Sequence, residues 1–179
     1  MQAIATTLDP DSEAAIQSLW QRFEANCGLV GIESMALAHF SWMSADAFQH
    51  EPLNEALAAI AHEQAPFAVY TAGLGIFTGP HPIVYVPVAK SAALLALHQT
   101  LWEAARPFAI TPNLLYDPER WMPHITLAYQ NSDAARLGCA VSDIAFQAVE
   151  LTIWVDELVL LGHTMGQGEV ICRYPFGKG

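Results

Sequence analysis

The sequence predicts an α+β domain carried mostly by antiparallel sheet. Helical patterns are interleaved with pairs of strand-like runs, as hairpin-rich folds require. No low-complexity linker divides the 179 residues, a length that suits one domain, 1–179, built of two lobes. The third observation is an uncharged stretch, residues 64–89, interrupted by Pro66, Pro80, Pro82 and Pro87 and by Gly73, Gly75 and Gly79. These residues would break a membrane-spanning helix repeatedly, so the stretch reads as two buried strands and a turn.

In chain order, residues 3–7 read as a short strand. Asp9-Pro10-Asp11-Ser12 ends it and opens a helix from Glu13 to about Asn26, with Ala15, Ile16, Leu19, Trp20 and Phe23 on its apolar face. Residues 35–42 read as a strand and Glu51 to Glu63 as a helix, with Pro52 suited to its first turn. Phe67–Phe77 and Ile83–Val88 read as strands joined by Thr78-Gly79-Pro80-His81-Pro82. An Ala/Leu-rich helix over 91–105 follows, then a loop holding Pro112, Asn113 and Pro118. A strand over about 121–129, a short helix over 132–138, one or two strands within 145–161 and a last strand over 169–175 complete the reading.

Composition narrows the functional classes. Hydrophobic residues make up 53% and charged residues 14%, against a usual charged share of about 25%, so there is ample core material. A net charge of −11 argues against an extended basic nucleic-acid surface, because phosphate neutralisation supplies most of such affinity. It leaves room for a small phosphate ester held in one pocket. The first residues lack a basic segment followed by an apolar one, so no export signal is expected. Cys27, Cys139 and Cys172 are odd in number and form no CxxC pair, which reads as free thiols in a reducing cytoplasm.

Three histidines have a hydroxyl residue two positions later: His39/Ser41, His98/Thr100 and His124/Thr126. On a strand, positions i and i+2 share a face; on a helix they diverge by about 200°. His98 lies in the helical stretch, so its match is a decoy. The other two lie in strand-like sequence, and each offers an imidazole and an alcohol to one surface. Two such strands facing each other would supply a base, an acid and two hydrogen-bond donors, the groups that move a phosphoryl ester. Metal-ligand spacing such as HExxH, a P-loop, a dinucleotide fingerprint and a G-x-S-x-G elbow are all missing from the sequence. No metal and no cofactor are therefore expected.

These residues resemble the 2H phosphoesterase superfamily, which includes the 2'-5' RNA ligase (RNA 2',3'-cyclic phosphodiesterase) proteins. Thr7-Leu8-Asp9-Pro10, His39-Phe40-Ser41, the segment from Thr71 to Phe77 and above all Trp121-Met-Pro123-His124-Ile-Thr126-Leu carry the likeness, over nearly the whole chain. The resemblance implies a bilobal fold in which two mostly antiparallel sheets flank a central cleft, with helices outside. It implies catalytic His39 and His124, with Ser41 and Thr126 binding the substrate phosphate. The first motif has serine where threonine is common, and Ala128-Tyr129 stand where a basic residue often follows the second.

The expected activity is hydrolysis, with reversible ligation as an extension, of 2',3'-cyclic phosphates of nucleotides or RNA ends. A nucleotide-binding module without turnover and a phosphodiesterase for a small non-nucleotide cyclic phosphate are the alternatives. Phe77, Tyr85 and Arg120 are candidate substrate contacts: the aromatics as stacking platforms, Arg120 because an extended strand would set it on the face of His124. The sequence leaves open the oligomeric state and which histidine is base and which acid.

Overall fold

The computed structural model describes residues 1–29, 37–129, 133–164 and 167–177. In chain order the elements are β1 (Gln2–Thr7), α1 (Pro10–Cys27), β2 (His39–Phe48), α2 (His50–Glu63), β3 (Phe67–Tyr70), β4 (Gly75–Phe77), β5 (Ile83–Pro87), α3 (Ala92–Ala105), β6 (Ala109–Pro112), β7 (His124–Ala128), α4 (Ala134–Ile144), β8 (Thr152–Val155), β9 (Glu157–Thr164) and β10 (Gln167–Pro175). One-turn 3-10 helices at Arg106–Phe108 and Leu114–Tyr116 flank β6. This is the α+β class expected, and every strand pairing is antiparallel.

Helix α1 begins where Asp9 accepts the backbone N–H of Ser12 at 3.0 Å and Pro10 occupies the first turn. It ends at Gly28, whose φ of 64° is left-handed. Ser91 caps α3 in the same way through Leu94, and Asp133 caps α4 through Arg136.

The main sheet runs β10-β9-β1-β2-β7-β5-β4, with β6 added to β2. Its two halves are joined by a single register pair, Phe40 with Ile125. The two sheets that the resemblance implies thus run into one another at the centre. Helices α2 and α3 pack together behind the first half and α1 with α4 behind the second. Phe40, Trp42, Ile125 and Leu127 point into the core those helices cover and are buried.

Four details differ from the sequence reading. The run Phe67–Phe77 is two strands, because the chain turns at Gly73 with φ 73°; β3 leaves to pair with β8 in a separate two-stranded sheet, and β4 pairs with β5. The loop after α3 contains β6, paired to β2 across Ala45–Pro112 and Ala47–Ile110. The strand expected over 35–42 is described from His39 and continues to Phe48, residues 30–36 lying outside the described ones. Finally, Cys27 and Cys139 are not free: a disulfide with a Cα–Cα distance of 5.6 Å links the end of α1 to α4. The spacing of 112 residues hid the pair, because only the packing of the two helices brings it together. Cys172 is the free thiol.

Candidate active site

The register at the centre of the sheet builds the site. Extending the Phe40–Ile125 pairing by one residue in either direction sets His39 against Thr126 and Ser41 against His124. An approximate twofold axis therefore passes through the Phe40–Ile125 pair. Cross-strand neighbours of this kind have Cβ atoms about 4.5–5.5 Å apart. All four side chains line one cavity of about 280 Å³.

A β-bulge follows each motif. Between β1 and β2, Ile4 pairs with Met43 but Ala5 with Ser41, so Trp42 is the extra residue. Between β5 and β7, Val84 pairs with Ala128 but Tyr85 with Thr126, so Leu127 is the extra residue. Each bulge resets the alternation of faces. Two successive residues, Trp42-Met43 and Leu127-Ala128, turn into the core. Ser44 and Tyr129 return to the cavity wall. Each half thus contributes residues i, i+2 and i+5: His39/Ser41/Ser44 and His124/Thr126/Tyr129.

Both imidazoles are oriented alike. His39 Nδ1 lies 3.1 Å from the Leu37 carbonyl and His124 Nδ1 lies 2.7 Å from that of Met122, two residues upstream in each case. A carbonyl only accepts, so Nδ1 carries the proton and Nε2 is the proton-accepting nitrogen of the neutral ring. Burial holds the pKa of His124 below the ordinary histidine value, against the raising effect of the Met122 carbonyl. The ring meets Phe77 edge-on at 4.8 Å and Tyr85 at 5.2 Å, and those two stack on each other at 4.1 Å. Gly75 makes this stack possible, since a Cβ there would fall 2.3 Å from the Tyr85 ring.

The hydroxyl residues are braced through their backbones by tryptophans. Trp121 donates its indole N–H to the Ser41 carbonyl at 3.0 Å, and Trp20 of α1 donates to the Thr126 carbonyl at 3.1 Å. His98, the helical decoy, is fully buried behind the first motif. It bonds the Trp42 carbonyl at 3.1 Å and stacks on Trp121 at 3.7 Å. Burial lowers its pKa to about 4, so the ring is neutral.

The remaining candidates fall into two groups. Phe77 and Tyr85 stand beside His124 but do not line the cavity. Arg120 is not on the strand: it is exposed in the turn Asp117–Arg120, where its N–H bonds the Asp117 carbonyl, because β7 begins only at His124. Sequence reasoning missed Ser44, Asn113, Tyr116 and Tyr129, which line the cavity. The i+5 spacing was a usable signal for Ser44 and Tyr129 once a bulge is assumed. Asn113 and Tyr116 carried none, because they arrive on β6 and its following turn.

The described residues lining the cavity include no Lys, Arg, Asp or Glu. Among the described residues, no group of three or more His, Cys, Asp or Glu could hold a metal ion. No helix among them is long and apolar enough to cross a membrane.

Comparison with known proteins fits this geometry. The family model of the 2'-5' RNA ligase superfamily matches residues 37–167, which include both motifs. The chain belongs to that superfamily. This superfamily member is 39% identical over 80 residues to an RNA 2',3'-cyclic phosphodiesterase of Geobacillus stearothermophilus, covering 43% of the present chain. The match spans about a quarter (24%) of that relative's length. Among solved structures it resembles TT0787 of Thermus thermophilus, with a TM-score of 0.67 at 17% identity, over 99% of this chain and 98% of that one. It also resembles LigT of E. coli complexed with 3'-AMP, with a TM-score of 0.59 at 18% identity and the same coverage of 99% and 98%. Likeness at these identities establishes the 2H phosphoesterase fold.

Proposed function

We propose that this chain is a metal-independent phosphoesterase that opens 2',3'-cyclic phosphates of nucleotides or RNA ends by two-histidine acid–base catalysis. The observation that carries the reading is the register pair Phe40–Ile125, which turns two distant His-x-hydroxyl segments into facing halves of one cavity. The kinship with a cyclic phosphodiesterase and with LigT, whose structure holds 3'-AMP, supports a nucleotide or RNA-end substrate.

The chemistry follows from the groups present. Burial keeps His124 neutral, which suits it to act as base: its Nε2 takes a proton from water as the water oxygen bonds phosphorus. The bond from phosphorus to one ribose oxygen breaks, and His39, entering the step as the imidazolium, delivers its Nε2 proton to that oxygen. The hydroxyls of Ser41 and Thr126 donate to the non-bridging oxygens, where negative charge gathers. With a ribose hydroxyl in place of water the same forward step would give ligation, and its reverse, with the roles of the two rings exchanged, would cleave the new linkage back to the cyclic phosphate. Neutral donors suit a singly charged cyclic diester, so the natural substrate on this reading is small or a single RNA end.

The proposal includes a cytoplasmic setting, where the Cys27–Cys139 bond would meet reductants. Neither cysteine lines the cavity, so the site should stand with the thiols reduced.

The test is incubation with adenosine 2',3'-cyclic phosphate, followed by phosphorus NMR, with and without EDTA. Ring opening to a phosphomonoester at equal rates in both samples is expected. Binding without ring opening would favour a nucleotide-binding module, and opening only of non-nucleotide cyclic phosphates would redirect the substrate class.

A further inference from the structure

We propose that Glu13 is a positioning residue that acts through one peptide bond to keep His39 protonated, and so makes that ring the general acid; this rests on the reading above. The carbonyl that holds His39 Nδ1 belongs to Leu37, and the nitrogen of the same peptide unit belongs to Ala38. That Ala38 N–H donates to the Glu13 carboxylate, 2.9 Å from Oε2 and 3.2 Å from Oε1. The amide is therefore gripped at both ends, by a negative charge at its N–H and by the imidazole at its oxygen. A carboxylate drawing on the N–H shifts electron density toward the carbonyl oxygen, which becomes a stronger acceptor. A stronger acceptor favours the imidazolium, because hydrogen bonding to the charged form holds the proton.

Both the carboxylate and the peptide are fixed. Glu13 lies in the first turn of α1, where the helix N-terminus favours negative charge. The Gln17 amide, one turn on, donates to its Oε1 at 2.8 Å. Ala38 is buried, and its carbonyl accepts the Leu8 N–H at 3.2 Å.

The second motif cannot build this path. Its ring is held by the Met122 carbonyl at 2.7 Å, but the nitrogen of that peptide is Pro123, which has no N–H for a carboxylate to hold. Burial meanwhile lowers the pKa of His124. The matching bonds of the two rings thus end differently, His39 on a charge and His124 on a proline. That difference sets which ring gives the proton and which takes it. Around His39 stand also His124, Tyr116 and Tyr129 in the cavity. Beyond Thr7, its partner on β1, lies Glu157, whose charge Arg173 answers. The Asp9 carboxylate accepts the backbone N–H groups of Ser12 and Trp154.

The experiment is Glu13→Gln, which keeps an acceptor for Ala38 and removes the charge. It is read in the pH profile of kcat/KM on adenosine 2',3'-cyclic phosphate and in the NMR titration of both imidazoles. The basic limb, which reports the acid of the free enzyme, should move to lower pH by about 0.5–1, as for a unit charge withdrawn a few ångströms away in partly solvated protein. The acid limb should stay in place, and kcat at about pH 8 should fall several-fold. Asp11→Asn, which removes an exposed charge from the same turn, should move neither limb. A basic limb that stays, that moves equally in Asp11→Asn, or that moves together with the acid limb would overturn the assignment. A wild-type chain that binds 3'-AMP without turnover would defeat the enzymatic reading alone. The His39 titration then decides: a lower midpoint in Glu13→Gln supports the role of Glu13, and an unchanged one overturns it. Should Glu13→Gln fail to fold, the Ala38 N–H and His39 Nδ1–H resonances of the wild type should shift together as a carboxyl group titrates at acid pH, and independent shifts would overturn it.

Discussion

The two halves of the cavity present the same pair of groups but hold them by different means. In the first half the surroundings are polar: Trp121 holds the Ser41 carbonyl, and Ser44, Asn113 and Tyr116 line the cavity with it. In the second half the imidazole is managed: His124 is wedged edge-on against a stacked phenyl and phenol. A hydroxyl that donates to an oxyanion suits polar neighbours. A base that must stay neutral needs apolar ones. Near-symmetry at the level of register therefore coexists with a division of labour at the level of side chains.

The largest effect separates this account from one in which a single half suffices. His39→Ala and His124→Ala should each reduce turnover of a nucleoside 2',3'-cyclic phosphate by at least about a hundredfold, since general acid–base help is worth roughly 10²–10⁴. Circular dichroism should show both variants folded. Loss in only one would make the site asymmetric in chemistry as well as in bracing.

The buried His98 makes the first half sensitive to acid. Its folded pKa of about 4 lies below the 6.5 of the free side chain, so the unfolded chain binds the proton more readily. The stabilisation is therefore fully present above pH 6.5 and is lost as the pH falls toward about 4, by roughly 2–3 kcal/mol. Urea unfolding at about pH 7 and about pH 4.5 should register this loss, and His98→Asn should flatten that part of the dependence. An unchanged slope in His98→Asn would mean that other groups carry it.

The aromatic bracing has a pH signature of its own. Phe77→Ala should admit water to His124 and raise its pKa toward the ordinary value. The acid limb of kcat/KM should then move to higher pH, and kcat should fall several-fold. A limb that stays in place would show that the stack does not control the base. The smallest effect concerns charge. With no Lys or Arg among the described lining residues, KM should change less than about threefold between about 50 and 500 mM NaCl. A steep salt dependence would point to a cation reaching the substrate from outside the cavity.

How much of this was legible in the sequence depends on the range of the interactions. The motif residues were, because i and i+2 on a strand share a face whatever the strand pairs with. The helices were, because their caps and apolar faces are local: Asp9, Ser91 and Asp133 cap as their residue types suggest. Ser44 and Tyr129 were hidden by bulges, which shift the period from two to three for one step. Tyr116 and the Cys27–Cys139 bond were hidden by topology, since each depends on segments brought together only by the folded sheet and its helices. Arg120 misled because strand geometry was extended four residues too far upstream, into a turn.

A crystal of the wild-type protein soaked with 3'-AMP addresses the convergence of the two halves most directly. The account predicts one phosphate between the strands, with the Nε2 atoms of His39 and His124 and the hydroxyls of Ser41 and Thr126 all within hydrogen-bond distance of its oxygens. A phosphate held by one strand alone, or seated outside this cavity, would contradict it.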